Sequence, residues 1–374
     1  MKKFKILYLL LLPFLALIFS LESQANSFSF SVNPILPDNQ AQEGKGYFDL
    51  LLKPGEEQTL TIQLLNNYDT PIDVVIELAN ATTNLNGVVE YNPNKIQPDA
   101  TLKFALKDLV NIPSAVTLAP HSTKNLEFKV TMPKEEFDGL IAGGITFKDA
   151  TSQSEQPKKT TGGYNIINEY QYVVGLSMQQ TTTTVKPDLS LHTVKAAQFN
   201  GRNIISANLQ NAAKGYLFNM RVDAQVTGIT HPNIHFTTSK EDMQMAPNTN
   251  FDFPIPVSYP GVMPENEYSQ PLQPGRYKLV MSVWGLKDEF GKYKINNVQG
   301  VQETFAYYWH FEKEFVIEGD VARALNASDP TVKQGIDWYW YVIIGLIVII
   351  LLLILWFLLW KRRKNKDDKE VQEE

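Results

Sequence analysis

Among the five histidines, only His231-Pro232-Asn233-Ile234-His235 brings two close together. A spacing of four suits zinc on a helix, where both rings share one face. Pro232 and the flanking strand text argue against a helix, and no third ligand stands nearby, so no metal is expected. Carboxylates are numerous, and counting them does not remove a glycosidase pair. However, the chain has no G-x-S-x-G, no Gly-rich phosphate loop, no H-E-x-x-H and no cysteine nucleophile. Asp38-Asn39-Gln40 and the Asn/Asp-rich turns admit a calcium reading, which Asx turns explain more simply. The residues carry no catalytic signature, and no enzyme activity or cofactor is expected.

Charge narrows the partners. The chain carries −6. Setting aside the N-terminal segment (Lys2, Lys3, Lys5 and Glu22) and the tail after Trp360 (six basic, five acidic residues) leaves about −9 for the remainder. An acidic body argues against nucleic acid and against electrostatic capture by anionic wall polymers or headgroups. Any carbohydrate would be held by stacking and neutral hydrogen bonds.

The elements that position such groups read as strands. Leu60, Ile62 and Leu64 alternate with Thr59, Thr61 and Gln63, and Leu126, Phe128, Val130 and Met132 alternate after Ala119-Pro120. Asn86-Gly87 is a type I′ hairpin signal between short strands. Phe251, Phe253, Ile255 and Val257 alternate too, as do the aromatics of the final strand, Phe305 to Ile317. The chain therefore reads as all-β, with two immunoglobulin-like β-sandwich domains in tandem plus one C-terminal transmembrane helix. Residues 26–150 form the first sandwich and residues 164–317 the second. Residues 151–163 offer nothing apolar to pack and read as a linker. Residues 318–337, polar and interrupted by Pro330, read as a membrane-proximal linker reaching ~70 Å at most if extended.

Both ends suggest a membrane. Trp338 to Trp360 is uncharged and flanked by Trp and Tyr, and a helix of that length crosses the ~30 Å hydrocarbon layer. Lys361-Arg362-Arg363-Lys364 follows as a stop signal for the cytoplasmic side, so residues 361–374 form a cytoplasmic tail. Lys2, Lys3 and Lys5, the apolar run Ile6 to Leu21 and Ser23-Gln24-Ala25 read as a signal peptide over residues 1–25. Without cysteine there is no lipoprotein route, and no L-P-x-T-G precedes Trp338. The expected protein is single-pass, with its body in the cell wall of a bacterium that does not use disulfides.

The motifs resemble the WxL-interacting proteins of low-GC Gram-positive bacteria. The first module carries Val32-Asn33-Pro34-Ile35-Leu36-Pro37-Asp38-Asn39-Gln40, Gly46-Tyr47-Phe48-Asp49-Leu50, Ala81-Thr82-Thr83-Asn84 with Asn86-Gly87 and Tyr91, and Phe137-Asp138-Gly139 with Gly143-Gly144. The second carries Lys186-Pro187-Asp188-Leu189, Asn208-Leu209-Gln210-Asn211 and Met245-Ala246-Pro247-Asn248. Gly285 to Gln302 departs from the pattern, being longer than the family's usual hairpin.

The resemblance implies a cell-surface adhesion protein. Its first module would bind peptidoglycan, and its second would contact WxL-domain proteins or host matrix proteins. An extracytoplasmic sensor, or an accessory subunit of a cell-wall enzyme, is the other reading. Candidates for the sugar are Asn39, Gln40, Tyr47, Asn84, Asn86 and Tyr91, because amides give directional hydrogen bonds and tyrosine rings stack on sugar faces. Asn84 and Asn86 equally fit a purely turn-shaping role. For the protein partner the candidates are Leu286, Phe290 and Tyr293, on a stretch expected to project from the sandwich unless it folds back over its own core.

Overall fold

The computed structural model describes residues 30–150, 170–259, 261, 267–297, 299–333 and 338–370. The signal-peptide and 151–163 linker readings fall outside them, as do residues 371–374.

The first sandwich contains β1 (Phe30–Ile35), β2 (Phe48–Leu51), β3 (Glu57–Asn66), β4 (Ile72–Asn80), β5 (Thr82–Thr83), β6 (Val89–Glu90), the one-turn α1 (Leu106–Leu109), β7 (Val110–Asn111), β8 (Ala115–Leu118), β9 (Thr123–Thr131), β10 (Leu140–Asp149) and β11 (Gln171–Gln179). A sheet of order β1-β3-β9-β7 faces one of order β2-β11-β10-β4-β8. Alternation places the core as expected. Leu60, Ile62 and Leu64 of β3 are buried against Leu126, Phe128 and Val130 of β9, while the intervening polar residues face out.

The second sandwich contains β12 (Leu189–Phe199), β13 (Arg202–Asn211), β14 (Leu217–Gly228), β15 (His235–Met245), β16 (Thr249–Pro256), β17 (Gly275–Lys287), β18 (Tyr293–Asn296) and β19 (Gln302–Ile317). Its sheets run β12-β13-β16 and β15-β14-β17-β19-β18. Phe251, Phe253 and Ile255 of β16 are buried with Tyr277, Leu279, Met281 and Val283 of β17. Odd-numbered residues of β19 close this core: Phe315 and Ile317 are buried in it and Trp309 and Phe311 partly so, while Phe305 is buried nearer the strand's start.

Four expectations are corrected. First, β11 does not belong to the second sandwich. It pairs antiparallel with β10 and parallel with β2, and Val174, Leu176 and Met178 enter the first core. In the sheet pairing, the chain therefore passes to the second sandwich after β11.

Second, residues 318–337 are not simply a spacer. Gly319–Ser328 is a helix, α2, with Ala322 and Leu325 turned onto the second core. Three residues apart, they share one helix face. Asp329 behind it is fully buried, and Val332 is buried and bridged to Ser269.

Third, Gly285 to Gln302 is not a projecting loop. β17 runs on to Lys287 and β18 pairs with β19, so the stretch satisfies its backbone groups by adding an edge strand. Fourth, only Gly87 of Asn86-Gly87 has positive φ (67°), so the turn is not type I′, which requires both central residues there. The Asn84 Oδ1 accepts from the N–H of Asn86 (2.9 Å) and of Val88 (3.2 Å), fixing the turn in a different shape.

The last helix, α3, runs Trp338–Glu370, and its segment Trp340–Trp360 is long and apolar enough to cross a membrane.

Candidate functional site

A cleft of about 800 Å³ opens where the two sandwiches meet. Five aromatic rings line it: Tyr47, Tyr91 and Tyr172 from the first sandwich, Tyr216 and Phe218 from the second. Gln42, Lys45, Asp49, Ser177 and Gln179 supply its polar groups.

Each ring is placed by strand pairing. β2 lies parallel to β11 with Phe48 opposite Leu176, which sets Tyr47 over Gly175. A Cβ at Gly175 would come 3.3 Å from Tyr47 Cβ, so the glycine gives that ring its seat. Tyr172 stands on β11, its ring 5.2 Å from Phe30. Tyr216 and Phe218 flank the buried Leu217 at the start of β14, so both point to one face. Their rings stack at 5.1 Å and 19°. The Tyr91 and Tyr216 hydroxyls meet across the junction at 3.0 Å. Lys45 Nζ lies 6.0 Å from the Tyr47 ring centroid.

The Tyr91, Tyr172 and Tyr216 phenols are held in the neutral form. Burial raises the Tyr91 pKa, partly offset by the Tyr216 hydrogen bond and reinforced by Tyr47. Burial raises Tyr216 further still, with Tyr91 adding to it, and burial raises Tyr172 too. The cleft thus presents ring faces and neutral O–H groups, suited to a hydroxyl-rich ligand with apolar faces.

Of the six residues expected at the sugar, Tyr47 and Tyr91 reach the cleft. Gln40 supports it: its Nε2 donates to the Tyr47 carbonyl (2.8 Å), and its Oε1 accepts from the Asp49 N–H (3.0 Å). Asn39 is engaged in reciprocal amide bonds with Gln58 (3.0 and 2.9 Å) and donates to the Leu51 carbonyl. Asn84 and Asn86 stand apart, in the β5–β6 hairpin. The structure shows Tyr172, Tyr216 and Phe218 as additional lining residues. They lie on or beside strands remote in sequence from Tyr47, and local patterning carries no signal that joins them.

That hairpin docks on the second sandwich. The Gln244 N–H donates to the Gly87 carbonyl (2.7 Å), and Thr83 Oγ1 meets Thr249 Oγ1 (2.8 Å) while accepting from the Ala246 N–H (3.0 Å). Ala81, Ala142 and Ala246 are buried between the modules with Val89, Tyr91, Leu140 and Tyr216 around them. Asp99 accepts from Gln210 (2.9 Å to each oxygen) and from Asn250 (2.5 Å).

The three residues expected to meet a protein partner are separated by their surroundings. Phe290 is 90% exposed at the turn before β18. Leu286 is half-buried with a positive φ of 58°. Tyr293 is half-buried on β18, its ring 5.4 Å from Tyr308.

Among solved structures, the chain is similar to the class 5 fimbriae chaperone CfaA at 12% identity, covering 74% of this chain and 100% of that one with a TM-score of 0.26. It is similar to the E. coli chaperone DraB at 13% identity, covering 78% and 98%, TM-score 0.25. For the Pseudomonas aeruginosa CupB2 chaperone the figures are 10%, 70% and 92%, with a TM-score of 0.23. None of the three informs the chain's function. No curated protein matches the chain. Family models do. Residues 30–149 match the peptidoglycan binding domain of the WxL Interacting Protein, and residues 161–327 match its host binding domain. The matches span both sandwiches and most of α2, so the chain belongs to the WxL Interacting Protein family and is a cell-surface binding protein.

Proposed function

We propose that the junction cleft holds a glycan strand of peptidoglycan. The observation that carries this is five aromatic rings facing one volume at the junction, beside neutral phenols and amides. Tyr47 and Tyr172 stack on sugar faces; the Tyr91 and Tyr216 hydroxyls and Gln42 and Gln179 meet hydroxyl and acetamido groups. The second module supplies Tyr216 and Phe218, so the glycan site is built by both.

In the same proposal, α3 anchors the protein in the membrane, with the sandwiches outside and Lys361 to Lys364 on the cytoplasmic side. The second module engages host matrix proteins and WxL-domain proteins, using the exposed Phe290 near the edge strand β18.

The test is co-sedimentation of the full chain, in detergent, with purified sacculi at low and at about 0.5 M salt. Binding is expected at both, because stacking and neutral hydrogen bonds are little screened. Tyr47→Ala, which removes a partly exposed ring, is expected to lower affinity about tenfold. Absence of sedimentation at either salt contradicts the sugar assignment, and undiminished binding by Tyr47→Ala contradicts the cleft.

A further inference from the structure

The outer face of the second module's five-stranded sheet carries another set of rings and hydroxyls. Met281 and Val283 of β17 are buried, so Ser282 and Trp284 between and beside them face away from the core. Strand register sets Trp284 between Arg221 of β14 and Tyr308 of β19, and Ser282 between Asp223 and His310. Tyr308 lies 5.3 Å from Trp284 and 5.4 Å from Tyr293, and His310 continues the row at 6.5 Å with its ring inclined 23° to Tyr308.

One end of the row is fixed by a buried cation. The Arg221 guanidinium lies 5.8 Å from the Trp284 ring centroid and donates to Asp223 (3.1 Å), Glu241 (2.8 Å) and the Asn296 carbonyl (3.1 Å). Beside the row the surface dips into a groove of about 460 Å³ that includes Asp223, Gln225, Thr237, Ser239 and Ser282. Gln225 and Thr237 are opposite each other on β14 and β15, and neither side chain has a hydrogen-bond partner among the described residues. Asp223 accepts from Arg221 and Ser239, and a carboxylate with about four acceptor sites has capacity left.

We propose that this face is a saccharide-binding platform for a neutral oligosaccharide, with the aromatic row beneath its C–H faces and the groove on its hydroxyls. Across this face rings alternate with Ser282, His310 and an oriented carboxylate, a spacing that offers C–H stacking and hydroxyl recognition side by side. Charge selects the class. Asp223, Glu241, Glu312 and Glu314 occupy this sheet against Arg221, Lys278 and Arg276; Arg221 is committed to Asp223 and Glu241, Lys278 to Glu312 (2.8 Å) and Arg276 to Glu314 (2.7 Å), so none of these three cations is left for an anion. An anionic sugar is repelled and a neutral one is not. The groove shares no residue with the junction cleft.

The test titrates the full chain in detergent with cellohexaose and laminarihexaose, with a hyaluronan octasaccharide as anionic comparator, by calorimetry in a Tyr47→Ala background. One neutral hexasaccharide is expected to bind with unit stoichiometry, and Tyr308→Ala to weaken it about tenfold while Tyr308→Phe, which keeps the ring, does not. Gln225→Ala, at an exposed position with no side-chain partner among the described residues, is expected to weaken binding without altering the melting temperature, and it decides the matter if Tyr308→Ala unfolds. The proposal is overturned if neither neutral hexasaccharide binds, if folded Tyr308→Ala or Gln225→Ala binds undiminished, or if hyaluronan binds more tightly.

Discussion

Asp329 has no exposed surface, and burial alone would push its carboxyl pKa up. Hydrogen bonds from Ser258 Oγ (2.6 Å), the Asn203 N–H (2.8 Å) and the Thr331 N–H and hydroxyl (2.9 and 2.6 Å) outweigh it and hold the carboxyl below the ordinary range. Asp329→Ala leaves those donors buried and unpaired, an expected loss of about 3 kcal/mol by denaturant unfolding. Asp99 follows the same logic at the module junction: burial raises it, and bonds from Thr101, Gln210 and Asn250 lower it further. Because the folded values are depressed, both carboxylates stabilise the protein fully above the unfolded value of about 3.9, and that stability is lost as pH falls through the folded values. Unfolding free energy measured down a pH series should fall below about pH 4, and Asp99→Asn should flatten part of that slope. Nothing local in sequence distinguishes these two aspartates from the other acidic residues. Only Thr101 and Thr331, each two residues on, are local partners; Gln210 and Asn250, and Ser258 and Asn203, come from far along the chain. Tyr47 and Tyr91 were legible as candidates because ring and hydroxyl are visible in the residue type itself, but the three rings that complete the cleft become neighbours only through folding.

Most strands were legible because one face of each is buried, so a period of two is written into β3, β9, β16 and β19. Pairing was not. β11 has the composition of a strand for either sandwich, and only its contact with β10 and β2 assigns it to the first. The helix α2 is short and polar overall, and its two inward residues, Ala322 and Leu325, are too few to announce a packed face. The β5–β6 hairpin was visible as a turn, but its docking was not. At its tip a Cβ on Gly87 would lie 2.7 Å from the Met243 side chain, in a backbone conformation with φ of 67°. Gly87→Val should therefore lift the hairpin off the second sandwich. Calorimetry of the intact protein is expected to show one thermal transition, and of Gly87→Val two, with the earlier one several degrees lower; a single unshifted transition would show that the hairpin contributes nothing to coupling.

For the whole molecule, the consequence is two sandwiches joined across a polar and apolar junction, with a cleft, proposed above to hold glycan, that neither lines alone. Only residues 334–337 separate the folded body from α3, a reach of at most about 18 Å even when extended. With α3 in a bilayer, the second module therefore sits near the surface, and fluorescence transfer from a label on Ser328 to headgroup dye should be efficient. Transfer as weak as a ~70 Å spacer would give contradicts the docked α2. The central claim is that both modules grip one glycan. Hydrogen–deuterium exchange of the full chain, with and without soluble peptidoglycan glycan strands, tests it most directly. The account predicts slowed exchange together around Tyr47, around Tyr172 to Ser177 and around Tyr216 to Phe218. Protection confined to the first module, or to surfaces away from the cleft, would contradict it.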